Sequence, residues 1–170
     1  AGGGTVLMAA SDVRIDGYVS MASGRFDANE ADMPDKPSFF MAGSIDAVVP
    51  PEERTRPAYE AAPSPSALWV IDQVGHNGFD DFCTFGNGTG IIGVAEASGL
   101  GPVLDAQPQL RTLGEDGCIP PSVPVATSFP VITHGVTAWI RALFGVDAEP
   151  VGIGADVADA FAVPVEISEK

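Results

Sequence analysis

The feature that most constrains the fold of this chain is a pair of short apolar runs separated by one predicted helix. Ser38–Ala42 and Ala67–Ile71 each have the length and composition of a buried strand. Between them, two prolines and two glutamates at 50–53 are typical of a first helical turn, and that helix is predicted to end near Ala62. This strand, helix, strand order with short turns predicts an α/β fold with a doubly wound, mostly parallel sheet.

The rest of the chain contains segments that extend this pattern and one that interrupts it. Val13–Met21 alternates before it becomes apolar, which predicts a further strand. The apolar stripe over Val131–Phe144 predicts a helix that packs on the sheet. Residues 77–129 lack a long regular pattern and predict an irregular, lid-like insertion with short helices near Ile91–Ser98 and Pro108–Leu113. We therefore expect one domain over 1–145 and a C-terminal tail over 146–170, in which Val163–Ile167 is a candidate strand.

Composition excludes several classes of partner. The chain has 23 acidic and 8 basic residues and a net charge of −15, which repels nucleic-acid phosphates and anionic membrane surfaces. Hydrophobic residues make up 45% of the chain, which is too many for a disordered protein. Its apolar runs are nevertheless far shorter than the roughly 20 residues that a membrane-spanning helix needs. We therefore expect a globular protein that binds no nucleic acid and has no membrane span.

Asp46 and His76 each follow one of the two predicted central strands by a few residues. The carboxyl ends of parallel strands meet at one edge of a sheet, so we expect the two side chains to lie close together there. A carboxylate that accepts a hydrogen bond from an imidazole fixes its tautomer and leaves the other ring nitrogen free to take a proton. Each residue also has a structural interpretation, since Asp46 can cap the following helix and a single histidine often only packs. Their combination favours the catalytic interpretation.

The segments around these two residues resemble a known enzyme superfamily. Gly43–Pro50 (GSIDAVVP) is similar to the acid loop of the α/β-hydrolases, and Gly75-His76 is similar to their histidine loop. The order of acid and then histidine is also that of the superfamily. Within it the chain most resembles the dienelactone-hydrolase-like enzymes, including bacterial polyester hydrolases, cutinase-like lipases and platelet-activating-factor acetylhydrolase-like proteins. The resemblance implies the C-terminal half of a serine hydrolase of carboxylic esters, with Asp46 as acid and His76 as base of a Ser-His-Asp triad.

The resemblance also implies a position for the nucleophile. In the family the serine stands in a Gly-x-Ser-x-Gly turn between a strand and a helix. Ala1 and the glycines after it resemble the part that follows the serine, so the serine would stand immediately before Ala1. The backbone N–H of Ala1 would then be one donor of the oxyanion hole. We accordingly expect activity only with an N-terminal half, in the same chain or a separate one. The alternative is a non-catalytic C-terminal fragment or partner chain that keeps the fold.

Three residues beside the acid and histidine loops are predicted to contact the substrate. Val48, Asn77 and Phe79 flank the two loops, and we expect them to line a pocket for a small-molecule or polymeric ester. We expect no metal, because His76 and His134 are far apart in sequence and no Cys-x-x-Cys is present. A dinucleotide fingerprint is also missing, so we expect no cofactor.

The two cysteines, Cys83 and Cys118, lie in loop-like surroundings on either side of much of the predicted insertion. They can form a disulfide that pins this insertion, or they can be two separate thiols, and we predict the disulfide. Disulfides persist in oxidising compartments. The prediction therefore favours a secreted or cell-envelope protein.

Overall fold

A computed structural model describes residues 2–24 and 33–170, and Ala1 and residues 25–32 lie outside the described part. The described residues form an α/β protein with one four-stranded mixed sheet. The strands are β1 (Tyr18–Met21), β2 (Ser38–Gly43), β3 (Ser66–Ile71) and β4 (Val165–Glu169). The helices are α1 (Gly2–Ala9), α2 (Thr55–Ala61), α3 (Phe85–Gly88), α4 (Gly90–Ala97), α5 (Gly101–Ala106), α6 (Pro108–Glu115) and α7 (Val125–Leu143). Short 3-10 helices span His76–Phe79, Phe82–Thr84 and Ala155–Ala160.

The strand order in the sheet is β1-β2-β3-β4. The first three strands are parallel, whereas β4 runs antiparallel to β3. Gly43 and Ile71, the last residues of β2 and β3, are register partners, so the two strands end side by side. The α/β class and the parallel central strands agree with the prediction from sequence. The doubly wound arrangement of an α/β-hydrolase stays a prediction.

Helices pack against both faces of the sheet because successive strand residues point to opposite faces. Every residue of β2 and β3 is buried, as expected for strands covered on both sides. One face packs with α7 in a cluster that includes Phe39, Met41, Trp69, Ile71, Val131, Ala138 and Trp139. The other packs with α1 and α2 in a cluster that includes Phe40, Ala42, Leu68, Val70, Ala10 and Ala58. The sheet therefore forms the centre of a three-layer core.

Two helices begin at positions that differ from the sequence prediction. Helix α7 begins at Val125 instead of Val131, because Pro130 lies inside the helix and does not end it. Helix α2 begins at Thr55 instead of near Pro50. Residues 51–54 form a turn in which the N–H of Arg54 donates to the carbonyl oxygen of Pro50 at 3.0 Å. The prolines at 50–51 therefore mark the turn before α2, and the apolar stripe of α7 covers only the part of that helix that packs on the sheet.

The segment after Gly145, which the sequence predicts as a tail, belongs to the core. Ile153, Val163 and Val165 are buried in the cluster on the α7 face of the sheet. The indole N–H of Trp69 donates to the carbonyl oxygen of Ile153 at 3.1 Å. Since β4 in this segment also pairs with β3, residues 146–170 complete the domain and are not an appendage.

The predicted insertion at 77–129 consists mostly of short helices, and the two helices predicted within it correspond to α4 and α6. It contains two 3-10 helices, α3 to α6 and the first part of α7. The disulfide between Cys83 and Cys118 closes it, which confirms the predicted pairing. No helix in the described ranges is long and apolar enough to cross a membrane.

Candidate active site

The acid loop, defined as residues 43–49, leads from β2 toward the turn before α2. Gly43 packs so closely on the segment after β3 that a Cβ there would lie 2.0 Å from the carbonyl oxygen of Val74. Only glycine fits such an approach. The N–H of Ile45 donates to the same carbonyl oxygen at 3.2 Å. The backbone of the acid loop is therefore fixed against the chain that leads to His76.

The carboxylate of Asp46 is held inside this loop and its side chain is 0% exposed. Oδ1 accepts hydrogen bonds from the N–H groups of Val48 at 2.9 Å and Val49 at 2.6 Å. Oδ2 lies 2.9 Å from Nδ1 of His76. A buried carboxylate needs such partners, because burying an unpaired charge is costly. One oxygen of Asp46 thus anchors the loop and the other is directed at the imidazole.

His76 lies in the histidine loop, defined as residues 74–79, and begins a 3-10 helix there. Its side chain is 17% exposed. With Asp46 as the acceptor, the neutral ring carries its proton on Nδ1 and leaves the lone pair of Nε2 available. Nε2 makes no hydrogen bond within the described part of the chain. The contact confirms the predicted proximity of Asp46 and His76, and it leaves the histidine in an orientation in which Nε2 can accept a proton.

The first turn of α1 lies at the same edge of the sheet as these two loops. Ala1, the predicted oxyanion-hole residue, is outside the described residues. Gly3 in the first turn of α1 contacts the carboxyl end of β1 so closely that a Cβ would lie 2.2 Å from the Cβ of Ser23 and 2.8 Å from the carbonyl oxygen of Met21. Helix α1 therefore begins beside the end of a parallel strand, which is where the resemblance to hydrolases places the helix after the nucleophile.

The three predicted substrate contacts have different surroundings. Val48 is half-buried, and its N–H donates to Asp46. Asn77 is buried, and its amide donates to the carbonyl oxygen of Leu113 at 2.7 Å, so this side chain joins the histidine loop to the insertion. Phe79 packs at the edge of the core on the α7 face. Of the three, Val48 lies on the loop that holds the acid, while Asn77 and Phe79 make structural contacts.

Two cavities near these elements are distinct from the acid and base. A groove of about 770 Å³ runs along α7, and no residue of the acid or histidine loop lines it. A smaller cavity of about 320 Å³ lies between Ile45 and Ala47 of the acid loop and Ile119 to Ser122 of the insertion. Val48, Asn77 and Phe79 line neither of them. We assign the substrate to neither cavity.

Asp116 is the residue of this site that the sequence did not reveal. Its Oδ2 accepts hydrogen bonds from the N–H groups of Ala47 at 2.8 Å and Val48 at 3.1 Å. Its Oδ1 accepts one from the N–H of His76 at 3.1 Å. One carboxylate thus contacts both loops. The only local signal is that Asp116 precedes a glycine and a cysteine, which does not indicate these distant contacts.

Asp80, at the end of the histidine loop's 3-10 helix, has an altered acidity. Burial raises the pKa of its carboxyl group above the usual 3.8. The hydrogen bond from the N–H of Phe82, at 2.9 Å, and the charge of protonated His76 act in the opposite direction and are weaker. Asp80 is therefore a second carboxyl group, besides Asp46, whose charge interacts with that of His76.

The second histidine is separate from this site. His134 lies on α7, where its ring stacks on Trp69 and its Nε2 lies 2.8 Å from the carbonyl oxygen of Gly152. A carbonyl can only accept, so the proton of its neutral ring is on Nε2. No group of three His, Cys, Asp or Glu residues in 2–24 and 33–170 is placed to hold a metal ion.

Comparison with known proteins does not assign the chain to a family. A scan against protein-family models finds no match to the chain, and a search of the curated proteins finds no relative. Any function must therefore be argued from the described residues. What they provide is an acid and a base that can take a proton from a hydroxyl group and return it to a leaving group.

Proposed function

We propose that this chain carries the acid and the base of a serine hydrolase that cleaves carboxylic esters through an acyl-enzyme. The observation that carries the proposal is the contact of 2.9 Å between Oδ2 of buried Asp46 and Nδ1 of His76, at the carboxyl ends of two parallel strands. The nucleophilic serine would stand immediately before Ala1. The N–H of Ala1 would be one donor to the oxyanion.

In this mechanism Nε2 of His76 takes the proton of the serine hydroxyl while the serine oxygen bonds to the ester carbonyl carbon. The carbonyl π bond breaks and its electron pair becomes the oxyanion. When the carbonyl reforms, the ester C–O bond breaks and His76 gives its proton to the departing alkoxide. Water then attacks the acyl-enzyme, His76 takes a proton from it, and the serine leaves with that proton. Asp46 stabilises the imidazolium in both halves.

Features of the first described residues support the position of the nucleophile. Helix α1 starts at the reactive edge of the sheet, where Gly3 contacts the end of β1. The helix is apolar yet contains no buried residue, and the side chain of Met8 is 83% exposed. Strand β1 has a neighbour on one side only within the described sheet. A preceding strand that carries the serine would cover these surfaces, as expected if an N-terminal half is the partner of this one.

The disulfide bears on where such an enzyme would act. Disulfides are rare in reducing compartments, and the described chain pairs Cys83 with Cys118. A secreted or cell-envelope location is therefore part of the proposal, and it suits an enzyme whose substrate is an external ester.

The test is covalent labelling of the chain extended through the residues that its gene encodes before Ala1. A fluorophosphonate probe should label the serine directly before Ala1, and the extended protein should hydrolyse p-nitrophenyl butyrate. Asp46→Asn should lower kcat by about 10⁴-fold and His76→Ala by about 10⁶-fold. His134→Gln, which changes the histidine outside the site, should leave kcat within about two-fold.

Other outcomes would reject the proposal. A label on a serine elsewhere, or turnover that survives His76→Ala, would show that the Asp46–His76 pair does not serve as the base. A folded extended protein with neither label nor turnover would favour the non-catalytic alternative, in which the chain keeps only the fold.

A further inference from the structure

We infer that Asp116 is a positioning residue, whose carboxylate holds the acid loop and the histidine loop in the mutual orientation that brings Asp46 to His76. The inference rests on the proposed function for its catalytic meaning, but it concerns a contact that can be measured without catalysis. Asp116 touches neither the imidazole ring nor the carboxylate of Asp46 through a hydrogen bond. It acts on the backbone of the loops that carry them.

The carboxylate of Asp116 accepts hydrogen bonds from both loops. Its two oxygens receive the N–H groups of Ala47 and Val48 in the acid loop and of His76 in the histidine loop. Ala47 and Val48 follow Asp46 directly in sequence, and His76 is the proposed base itself. Hydrogen bonds to an ionised acceptor are about twice as strong as neutral ones. A single side chain therefore ties the backbone next to the acid to the backbone of the base.

The backbone leaves room for the Asp116 carboxylate only because two residues beside it are glycines. A Cβ at Gly75 would lie 2.2 Å from Oδ1 of Asp116, so the residue before His76 must be glycine for the carboxylate to reach the histidine N–H. Gly117 has a φ of +93°, and a Cβ there would lie 2.7 Å from the backbone nitrogen of Gly78. Both close approaches are possible only without a side chain. The segment that contains Asp116 and Gly117 therefore packs directly against the backbone of the histidine loop.

Contacts on both sides of Asp116 fix the segment that carries it. The carbonyl oxygen of Asp116 accepts from the N–H of Asn77 at 2.8 Å, and the Asn77 amide donates to Leu113. The disulfide to Cys83 holds Cys118, two residues after Asp116. The insertion is therefore anchored on both sides of the carboxylate. The insertion contributes to the site by holding Asp116 in contact with the acid loop and the histidine loop.

The experiment compares the 170-residue chain with its Asp116→Asn variant by NMR. Asparagine has almost the same size, but it loses the charge and replaces one acceptor oxygen with an NH₂ group that cannot accept an N–H. The matched control is Glu115→Gln, which removes the same charge one residue earlier, where the side chain pairs with Arg111 at 3.0 Å and not with either loop. The readouts are solvent exchange of the His76 Nδ1 proton and of the Ala47 amide.

Asp116→Asn should speed the exchange of both protons by at least about ten-fold, because a net loss of about 1.5–3 kcal/mol for a charged hydrogen bond corresponds to a factor of that size or more. Glu115→Gln should leave both rates within about two-fold. A folded Asp116→Asn chain with wild-type exchange at His76 would overturn the inference while leaving the proposed function standing. A wild-type chain with no protected Nδ1 proton on His76 would instead reject the proposed function.

A measurement on the wild-type chain decides the matter if Asp116→Asn does not fold. Ala47 is an exposed residue, and among the described residues its N–H donates to Asp116. If Asp116 holds the acid loop, this amide must exchange at least about ten-fold more slowly than an unprotected amide, since a charged hydrogen bond of about 1.5–3 kcal/mol must first break. Exchange at the unprotected rate would overturn the inference.

Discussion

Replacing Asp46 with asparagine should invert the tautomer of His76 while the acid loop stays folded. In the wild-type chain Oδ2 of Asp46 accepts from Nδ1 of His76, so the neutral ring carries its proton on Nδ1. An asparagine oxygen at the position of Oδ1 can still accept from the N–H groups of Val48 and Val49. Its NH₂ group must then face Nδ1. The ring has to accept there and carry its proton on Nε2, where it can no longer act as a base.

The loss of unfolding free energy differs between two replacements of Asp46, alanine and asparagine. It depends on which backbone N–H groups lose their acceptor. In Asp46→Ala the N–H of Val49, a buried residue, loses its acceptor, whereas that of Val48 keeps Asp116 at 3.1 Å. One buried donor without a partner and the lost charged bonds should together lower the free energy of unfolding by about 2–4 kcal/mol. Asp46→Asn keeps both backbone bonds and should cost about 1 kcal/mol. Urea unfolding with equal slopes for the three chains measures both differences.

Long-range ¹H–¹⁵N correlation of the imidazole rings is the assay for the tautomer, at a pH at which both rings are neutral. His134 is an internal reference, because its Nε2 donates to Gly152 and its tautomer should be the same in every variant. Wild-type His76 should show the Nδ1–H pattern and Asp46→Asn the Nε2–H pattern. If His76 keeps the Nδ1–H form in Asp46→Asn, or lacks it in the wild-type chain, the reasoning from the 2.9 Å contact is refuted.

Two further predictions concern stability. Cys83→Ser with Cys118→Ser should lower the free energy of unfolding by about 3–4 kcal/mol in the chain-entropy treatment of the 35-residue separation, measured by urea unfolding; a loss below about 1 kcal/mol would contradict it. Glu166 forms an ion pair with Arg56. Glu166→Gln should lower the free energy of unfolding by about 0.5–1 kcal/mol at pH 7, a small value because solvent screens this pair. The Arg56 guanidinium lowers the pKa of Glu166 below its usual 4.5, so this contribution is present above 4.5 and is lost as the pH falls through the lowered value. The difference from the wild-type chain should therefore shrink toward pH 3, and a constant difference would rule out this role of the pair.

The sequence predicted the strands that carry the acid and the base because their signal is local. Apolar runs of strand length at Ser38 and Ala67 correspond closely to β2 and β3. Residues that follow neighbouring parallel strands lie at the same edge of the sheet. The proximity of Asp46 and His76 could therefore be predicted without information on side-chain contacts. The cysteines could be paired because only two are present.

Contacts between distant segments could not be predicted in this way. Asp116 is 40 residues from His76 and 68 from Val48, and nothing in its own neighbourhood encodes those partners. The antiparallel pairing of β4 depends likewise on β3 having a free edge after the parallel strands are formed. Strand β1 covers only Tyr18–Met21 of the predicted Val13–Met21, because the preceding residues form turns after α1. Propensity identifies such elements, but tertiary contacts set their limits.

The geometry of the Asp46–His76 pair is imposed mainly by backbone groups, and this determines which changes the site can accept. Ala47 and Val48 contribute only their N–H groups to the carboxylates, so their exposed or half-buried side chains can vary while the carboxylates keep these donors. Gly43 and Gly75 contribute close approaches that any side chain would prevent. When His76 takes a proton, the imidazolium faces Oδ2 of Asp46 directly, whereas both oxygens of Asp116 are directed at backbone N–H groups. In the proposed mechanism the charge that stabilises protonated His76 is therefore that of Asp46, whereas the inferred role of the Asp116 charge is to hold the two loops together.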